Sequence, residues 1–278
     1  MAADMSGTEA MRFQFGENWR RFLNVLTDAQ IERAKASLSV LPVEGGFAGK
    51  RLLDAGSGSG LFSLAARQLG AQVHSFDLDP ASVACAAELR RRYFPNDTQW
   101  AVESGSVLDR GYLGRLGAFD IVYSWGVLHH TGAMWQALEN VAAPVKPGGW
   151  LVVALYNDQG RASRMWSRVK QAYNRLPPPL RWLVLLPAFL RLWGPTFARD
   201  LLKGRPFASW RNYAQDRGMS PWHNAVDWVG GWPFEVAKPE QVLDFCRTRG
   251  FTLERMTTCG GGLGCNEFAF RKTGTAGA

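Results

Sequence analysis

The chain has 278 residues, 46% of them apolar and 20% charged, with a formal net charge of +8. That length suits one large α/β domain or a domain with a substantial insertion, and the composition is that of an ordinary globular protein. No apolar run approaches the ~20 residues that cross a bilayer. Cys85, Cys246, Cys259 and Cys265 form neither a C-x-x-C pair nor a His/Cys ligand spacing, which excludes a disulfide framework and predicts no metal site. The first eleven residues lack a basic region followed by an apolar core, so no secretory leader is expected and a reducing cytoplasm is.

Near the N-terminus, Phe13, Phe15, Trp19 and Phe22 are interleaved with charge. Thr27-Asp28-Ala29-Gln30 then reads as a capping box. It opens a helix that carries Ile31, Ala34, Leu38 and Leu41 near helical spacing and stops at Pro42. The run Arg51-Leu52-Leu53-Asp54 ends in an acid, and Gly56, Gly58 and Gly60 alternate before a helical pattern from Leu61 to Leu69. Strand, tight turn and helix in this order open a doubly wound α/β domain, with an anion-binding helix start behind the glycines. A nicotinamide dinucleotide loop wants G-x-G-x-x-G, and Leu61 stands where its third glycine belongs. The spacing here is D-x-G-x-G-x-G instead.

Gln72 to Phe76 makes a second strand ending at Asp77, 17 residues past Gly60. An acid at that place accepts hydrogen bonds from both hydroxyls of an adenosine ribose. Asp79, directly before Pro80, caps the helix from Ala81 to Arg92 instead. A third strand covers about Gln99 to Glu103 and turns at Ser104-Gly105-Ser106-Val107. A fourth runs from Ala118 to Ser124 and continues Trp125-Gly126-Val127-Leu128-His129-His130. A helix from Ala133 to Ala143, the turn Lys146-Pro147-Gly148-Gly149 and a strand from Trp150 to Leu155 follow. Much later, Lys238-Pro239-Glu240 starts a helix that ends near Arg249, and strands from Thr252 to Thr257 and Asn266 to Arg271 close the chain.

This series, over Lys50–Leu155 and Lys238–Lys272, resembles the class I S-adenosylmethionine (SAM) dependent methyltransferases. The resemblance implies an α/β fold: a doubly wound, seven-stranded, mostly parallel sheet with a C-terminal antiparallel hairpin, and a helical insertion after the fifth strand. It implies SAM as cofactor, held by Asp54, Gly56, Ser57, Gly58, Gly60, Asp77, Leu78, Ser106, Val107, Ser124 and Trp125, with Trp19 reaching in from the N-terminal segment. Many relatives carry Asp where Ser106 stands, which leaves Ser106 and the Val107 backbone to read the adenine edge. Methylases of adenine amino groups carry Asp/Asn-Pro-Pro-Tyr where this chain has Ser124-Trp125-Gly126-Val127, so a nucleic-acid acceptor is not expected. The organisation expected is an N-terminal helical segment over the cofactor (1–45), a SAM-binding core (46–156 and 238–272) and a helical insertion (157–237).

The insertion is distinctive in composition. Between Asn157 and Ser220 stand twelve Arg and Lys against three Asp, a local balance of +9 that leaves the remainder at −1. Seven of the twelve tryptophans lie between Arg161 and Trp232. Such a segment acts as an aromatic lid over an acceptor, or packs as a helical subdomain or homodimer contact. Its basic balance attracts an anionic acceptor or a membrane surface, or is simply solvated. Methyl transfer is an in-line displacement in which the protein aligns the reactants and removes a proton where needed. Candidate bases are His130 and His129 after the fourth strand and His223 with Asp227 in the insertion, with Tyr156 beside them. A small-molecule acceptor at oxygen or sulfur is expected, and a thiol needs little help from a base. Within that class the alternatives are a small-thiol or sulfide S-methylase and a membrane-peripheral methylase of a quinone or lipid headgroup. The resemblance is to the quinone-biosynthesis type of small-molecule methyltransferase, from whose pattern the insertion departs. A module that binds SAM without turnover is a further alternative.

Overall fold

The computed structural model describes residue 23 and residues 26–217 and 221–273. They divide into two compact units, one over 160–234 and the other over the flanking chain.

In the larger unit, Arg51–Ala55 (β1), Gln72–Asp77 (β2), Trp100–Ser104 (β3), Phe119–Trp125 (β4), Val145–Tyr156 (β5), Phe251–Thr257 (β6) and Cys265–Lys272 (β7) form one sheet. Their order is β3-β2-β1-β4-β5-β7-β6. All neighbours are parallel except the β5–β7 and β7–β6 pairs. This is the expected sheet, and strand order reverses between β1 and β4. In open α/β sheets ligands bind outside the strands' carboxyl ends at such a reversal.

Alternation along the strands divides the core into two layers. Leu53 and Ala55 of β1, with Val122 of β4, face the helices Met134–Ala142 (α5) and Pro239–Arg247 (α10). Leu52 of β1 and Ile121 and Tyr123 of β4 face Asp28–Ser39 (α1) and Leu61–Gln68 (α2). The expected capping box starts α1: Gln30 N–H donates to Thr27 Oγ1 at 3.4 Å and Thr27 N–H to Gln30 Oε1 at 2.8 Å. Asp79 caps Pro80–Tyr93 (α3) by accepting from Ala81 N–H at 2.9 Å, and Asp109 caps Arg110–Arg115 (α4) by accepting from Tyr112 N–H at 2.9 Å.

The turn expected before the fifth strand lies inside β5. Phe119 pairs with Val145 and Ile121 with Trp150, so four residues of β5 loop out opposite Asp120. Lys146 Nζ donates to Asp120 Oδ1 there at 2.8 Å, and Gly148 supplies a φ of +73° that other residues adopt only with strain.

In the second unit, Arg161–Arg175 (α6), Trp182–Leu202 (α7), Ala208–Arg217 (α8) and Pro221–Gly230 (α9) pack around Trp166, Tyr173, Leu185, Ala188 and Val229. Ring contacts supply much of its interior. Trp193 lies 5.6 Å from Trp210, Phe197 stacks on Trp210 at 5.8 Å, and Trp166 meets Trp228 edge-on at 5.8 Å. Aromatic pairs of this kind add about 0.5–1.5 kcal/mol each beyond burial. Asp200 is buried and accepts from Ser209 N–H at 2.8 Å and from its hydroxyl at 2.7 Å.

Candidate active site

The loop between β1 and α2 takes its shape from three glycines in the left-handed region, with φ of +82° at Gly56, +53° at Gly58 and +80° at Gly60. A Cβ on Gly56 would lie 2.4 Å from the Val127 side chain, and one on Gly60 would lie 2.7 Å from the Ala86 backbone. Two of the three glycines therefore serve the packing of this loop against its neighbours, independently of any ligand. Gly56 and Ser57 N–H both donate to the Phe76 carbonyl, at 2.9 and 3.0 Å.

Asp77 joins the loops at the reversal point. Its Oδ2 accepts from Gly58 N–H and its Oδ1 from Asp79 N–H, both at 2.9 Å. Its own carbonyl accepts from Gly105 N–H at 3.0 Å. Burial raises its pKa, opposed by the Asp79 and Gly58 N–H groups, with the charge of Asp79 adding to the rise. Each carboxylate oxygen has a second lone pair, so two further donors can be accepted. Leu78, next in the chain, is 49% exposed. Ser57 Oγ is buried without a hydrogen-bond partner among the described residues, and such a group costs about 1–3 kcal/mol when left unsatisfied.

A carboxylate with spare acceptor capacity, an unsatisfied hydroxyl, an exposed leucine and a helix start fit an adenosyl group carrying a charged tail. SAM itself supplies a methyl group on a sulfonium centre, already activated for displacement. Gly56, Ser57, Gly58 and Gly60 would cradle it and Asp77 would take the ribose.

Two residues expected in that set, Asp54 and Ser124, have their side chains engaged within the fold. Asp54 alternates onto the α2 side of β1, where Ser63 Oγ donates to its Oδ2 at 2.5 Å. Ser63 and Ser75 hydroxyls lie 2.6 Å apart, and Trp100 Nε1 donates to Ser75 at 2.8 Å. Its carboxyl is buried, which raises its pKa to about 7, partly offset by Ser63 and reinforced by Asp77. It supports the loop from beneath and does not line it. Ser124 is fully buried and donates to the Ala55 carbonyl at 2.8 Å, joining β4 to β1. The Val107 carbonyl accepts from Asn140 Nδ2 at 3.0 Å. Ser106 stands at the turn after β3, its Oγ accepting from Leu108 N–H at 3.2 Å. Trp125 is exposed and its indole N–H reaches Glu267 at 3.3 Å. Trp19 lies outside the described residues.

Among the candidate bases, His129 and His130, which follow β4, come together with Tyr156 at the end of β5. The His129 and Tyr156 rings are 3.8 Å apart, and His130 meets Tyr156 edge-on at 5.4 Å. His129 is fully buried, and its Nδ1 accepts from Tyr156 N–H at 3.3 Å. While that bond is made, the Nδ1 lone pair is directed at the backbone of β5; His130, beside it, is half-buried. His223 and Asp227 stand on α9 in the other unit, and the side chain of His223 lies outside the described set.

Sequence reasoning missed two residues. Glu235 accepts from Met134 N–H at 3.0 and 3.2 Å, a carboxylate against the start of α5. Its N–H donates to the His129 carbonyl at 2.9 Å, fixing the histidine turn. Burial raises its pKa against the opposing Met134 and Gly132 N–H groups. No local signal could reveal it, because its partners lie a hundred residues earlier. The second is Lys170, fully buried in the insertion. Its Nζ donates to the Trp228 carbonyl and lies 4.2 Å from the Trp228 ring and 4.7 Å from that of Phe234. Burial lowers its pKa to about 7. Its helical phase puts it on the Trp166–Tyr173 face, but the rings that enclose it come from about sixty residues later in the chain.

The fold and this loop define a doubly wound domain of the nucleoside-binding kind. A family model described as a methyltransferase domain matches residues 24–217, well over half of the chain. The chain belongs to the SAM-dependent methyltransferase family. It is 33% identical over 150 residues to a tRNA U34 carboxymethyltransferase of Methylococcus capsulatus, covering 52% of this chain and 43% of that protein. It is 29% identical over 183 residues to a ubiquinone biosynthesis O-methyltransferase of Xanthomonas campestris, covering 63% and 69%. The chain thus spans less than half the length of the first of these relatives. The magnesium protoporphyrin IX methyltransferase of Synechocystis, solved with bound S-adenosylhomocysteine, has the same fold at a TM-score of 0.54 and 14% identity, over 92% of this chain and 95% of that one.

Proposed function

We propose that this protein moves a methyl group from SAM to an oxygen or sulfur of a small-molecule acceptor and releases S-adenosylhomocysteine. The observation that carries this reading is the Asp77 carboxylate, which holds Gly58 N–H with one oxygen and Asp79 N–H with the other at the point where strand order reverses. Asp77 receives the ribose hydroxyls, Ser57 gains the partner its buried hydroxyl lacks, and Leu78 lies against the adenine. Ser106 reads the adenine edge beside the Val107 backbone.

The chain's part in the chemistry is to orient the acceptor and, for a hydroxyl acceptor, to take its proton. His130, held edge-on to Tyr156, is the first candidate for that proton. His223 and Asp227 are tested alongside it. The Ser124-Trp125-Gly126-Val127 turn supports a small molecule over a base of nucleic acid, as do the ubiquinone-biosynthesis relatives.

The test is formation of S-adenosylhomocysteine by purified protein with SAM and a panel of small thiols including sulfide, hydroxylated aromatics, and bulk tRNA. Turnover on phenols with loss of kcat in His130→Ala supports the reading with His130 as base. Turnover on thiols, unaffected by that substitution, supports an S-methylase that needs no base. Turnover on tRNA alone, or SAM affinity with silence throughout, overturns it.

A further inference from the structure

The unit over 160–234 carries a surface that its own core does not explain. From Gln159 to Arg199 the chain has no Asp or Glu and eight Arg and Lys. Helix α6 turns Ser163, Trp166, Lys170 and Tyr173 inward and Arg161, Arg164, Arg168 and Arg175 outward. That is an amphipathic helix with an arginine face.

Helix α7 does not follow this rule. Leu185, Ala188 and Trp193 are buried, yet the opposite side of its first half is apolar as well. Trp182 is 59% exposed, Leu190 57%, and Leu183 and Leu186 nearly as much. Arg175 and Arg191, both exposed, stand at either end of this patch along the chain. A helix apolar on all sides is normally covered, and contiguous exposed apolar surface marks an interaction site. No described helix is long and apolar enough to cross a membrane; α7 contains Pro187 and Pro195.

We propose that this face of α7 docks on the surface of a bilayer containing anionic phospholipid. Trp182, Leu183, Leu186 and Leu190 enter the boundary between headgroups and acyl chains, and the arginines pair with lipid phosphates. Tryptophan suits that depth, being apolar in its ring and polar at its N–H. A second copy of the chain is the poorer occupant. A twofold contact would set the same surface against itself, arginine facing arginine with no carboxylate between Gln159 and Arg199 to offset them. RNA would satisfy the arginines and leave the tryptophan and leucines in water.

Vesicle binding needs no methyl acceptor, so its outcome is separable from that of the transferase assay. The purified protein is sedimented with vesicles of phosphatidylcholine alone and of phosphatidylcholine with phosphatidylglycerol, at low and high salt. Binding to the anionic vesicles, weakened by salt and weak on neutral ones, is expected. Leu186→Glu with Leu190→Glu, both at exposed positions, lowers the partition coefficient at least tenfold while circular dichroism is unchanged. Arg175→Gln and Arg191→Gln each lower it about fivefold, the equivalent of about 1 kcal/mol per basic residue. The proposal is overturned if the protein stays in the supernatant at low salt, or if the glutamate variant binds as well as the parent. It is equally overturned if, without vesicle binding, light scattering finds a dimer that the glutamate variant dissociates, or if RNA alone is retained.

Discussion

Each unit buries an ionisable side chain whose pKa burial brings to about 7, and the two are accommodated in opposite ways. In the sheet unit, Asp54 ends a run of donors in which Trp100 serves Ser75, Ser75 serves Ser63, and Ser63 serves the carboxyl. In the insertion, Lys170 has one carbonyl and the faces of two rings. Burial brings both to a pKa of about 7, Asp54 from below and Lys170 from above. The comparison teaches that a buried charge is tolerated here in two ways. A hydrogen-bond chain serves beneath a ligand loop, and aromatic faces serve in a subdomain rich in tryptophan.

The loop above Asp54 is where substitution does most damage. Gly60→Val adds a side chain against the Ala86 backbone at a φ of +80°, and should cost about 3 kcal/mol or more in urea unfolding. A smaller loss would mean that α2 and α3 separate easily.

Next in size are the two buried groups, which predict pH dependences of opposite sign. Below pH 7 folded Asp54 keeps its proton while the unfolded side chain loses it near pH 4, so its contribution to stability falls as pH rises from about 4 to 7. Folded Lys170 is neutral above pH 7 while the unfolded lysine stays charged to about pH 10, so its contribution rises over that range. Asp54→Asn should flatten the first slope and Lys170→Met the second, by roughly 2–4 kcal/mol each across the window. Lys170→Met should also gain stability at pH 7, as buried charges replaced by apolar groups often do. Denaturation midpoints at three pH values decide this, and equal slopes in parent and variant would remove the distinction between the units.

Asp77→Asn preserves shape but removes charge, and should weaken SAM binding by about 1–3 kcal/mol in calorimetry; unchanged affinity would refute the ribose role. The smallest effect is expected at Glu235→Gln, about 1 kcal/mol of stability through the start of α5. A loss of catalytic rate well beyond that of stability would make Glu235 a positioning residue for the histidine turn.

Much of the core was legible because its signals are local. The apolar run before Asp54, the alternating glycines, the acid at the end of β2, and the capping residues Thr27 and Asp79 act within a few residues of themselves. The same locality misled at Asp54 and Ser124. An acid or hydroxyl near a glycine loop reads as a ligand contact until strand alternation turns it onto the α2 side or toward β1. At His129 the sequence named a candidate base, and only the fold shows Tyr156 N–H of β5 directed at its Nδ1.

By itself the sequence determined the strand and helix series, the glycine loop and the basic, tryptophan-rich character of the insertion, because backbone torsion, capping and hydrophobic period depend on neighbours in the chain. Tertiary structure alone decided that Glu235 meets the start of α5 and that Lys170 is enclosed between Trp228 and Phe234. It also left an apolar face of α7 exposed. Those outcomes depend on which surfaces meet across distances of fifty residues and more, and burial, unlike propensity, has no value until both surfaces are in place.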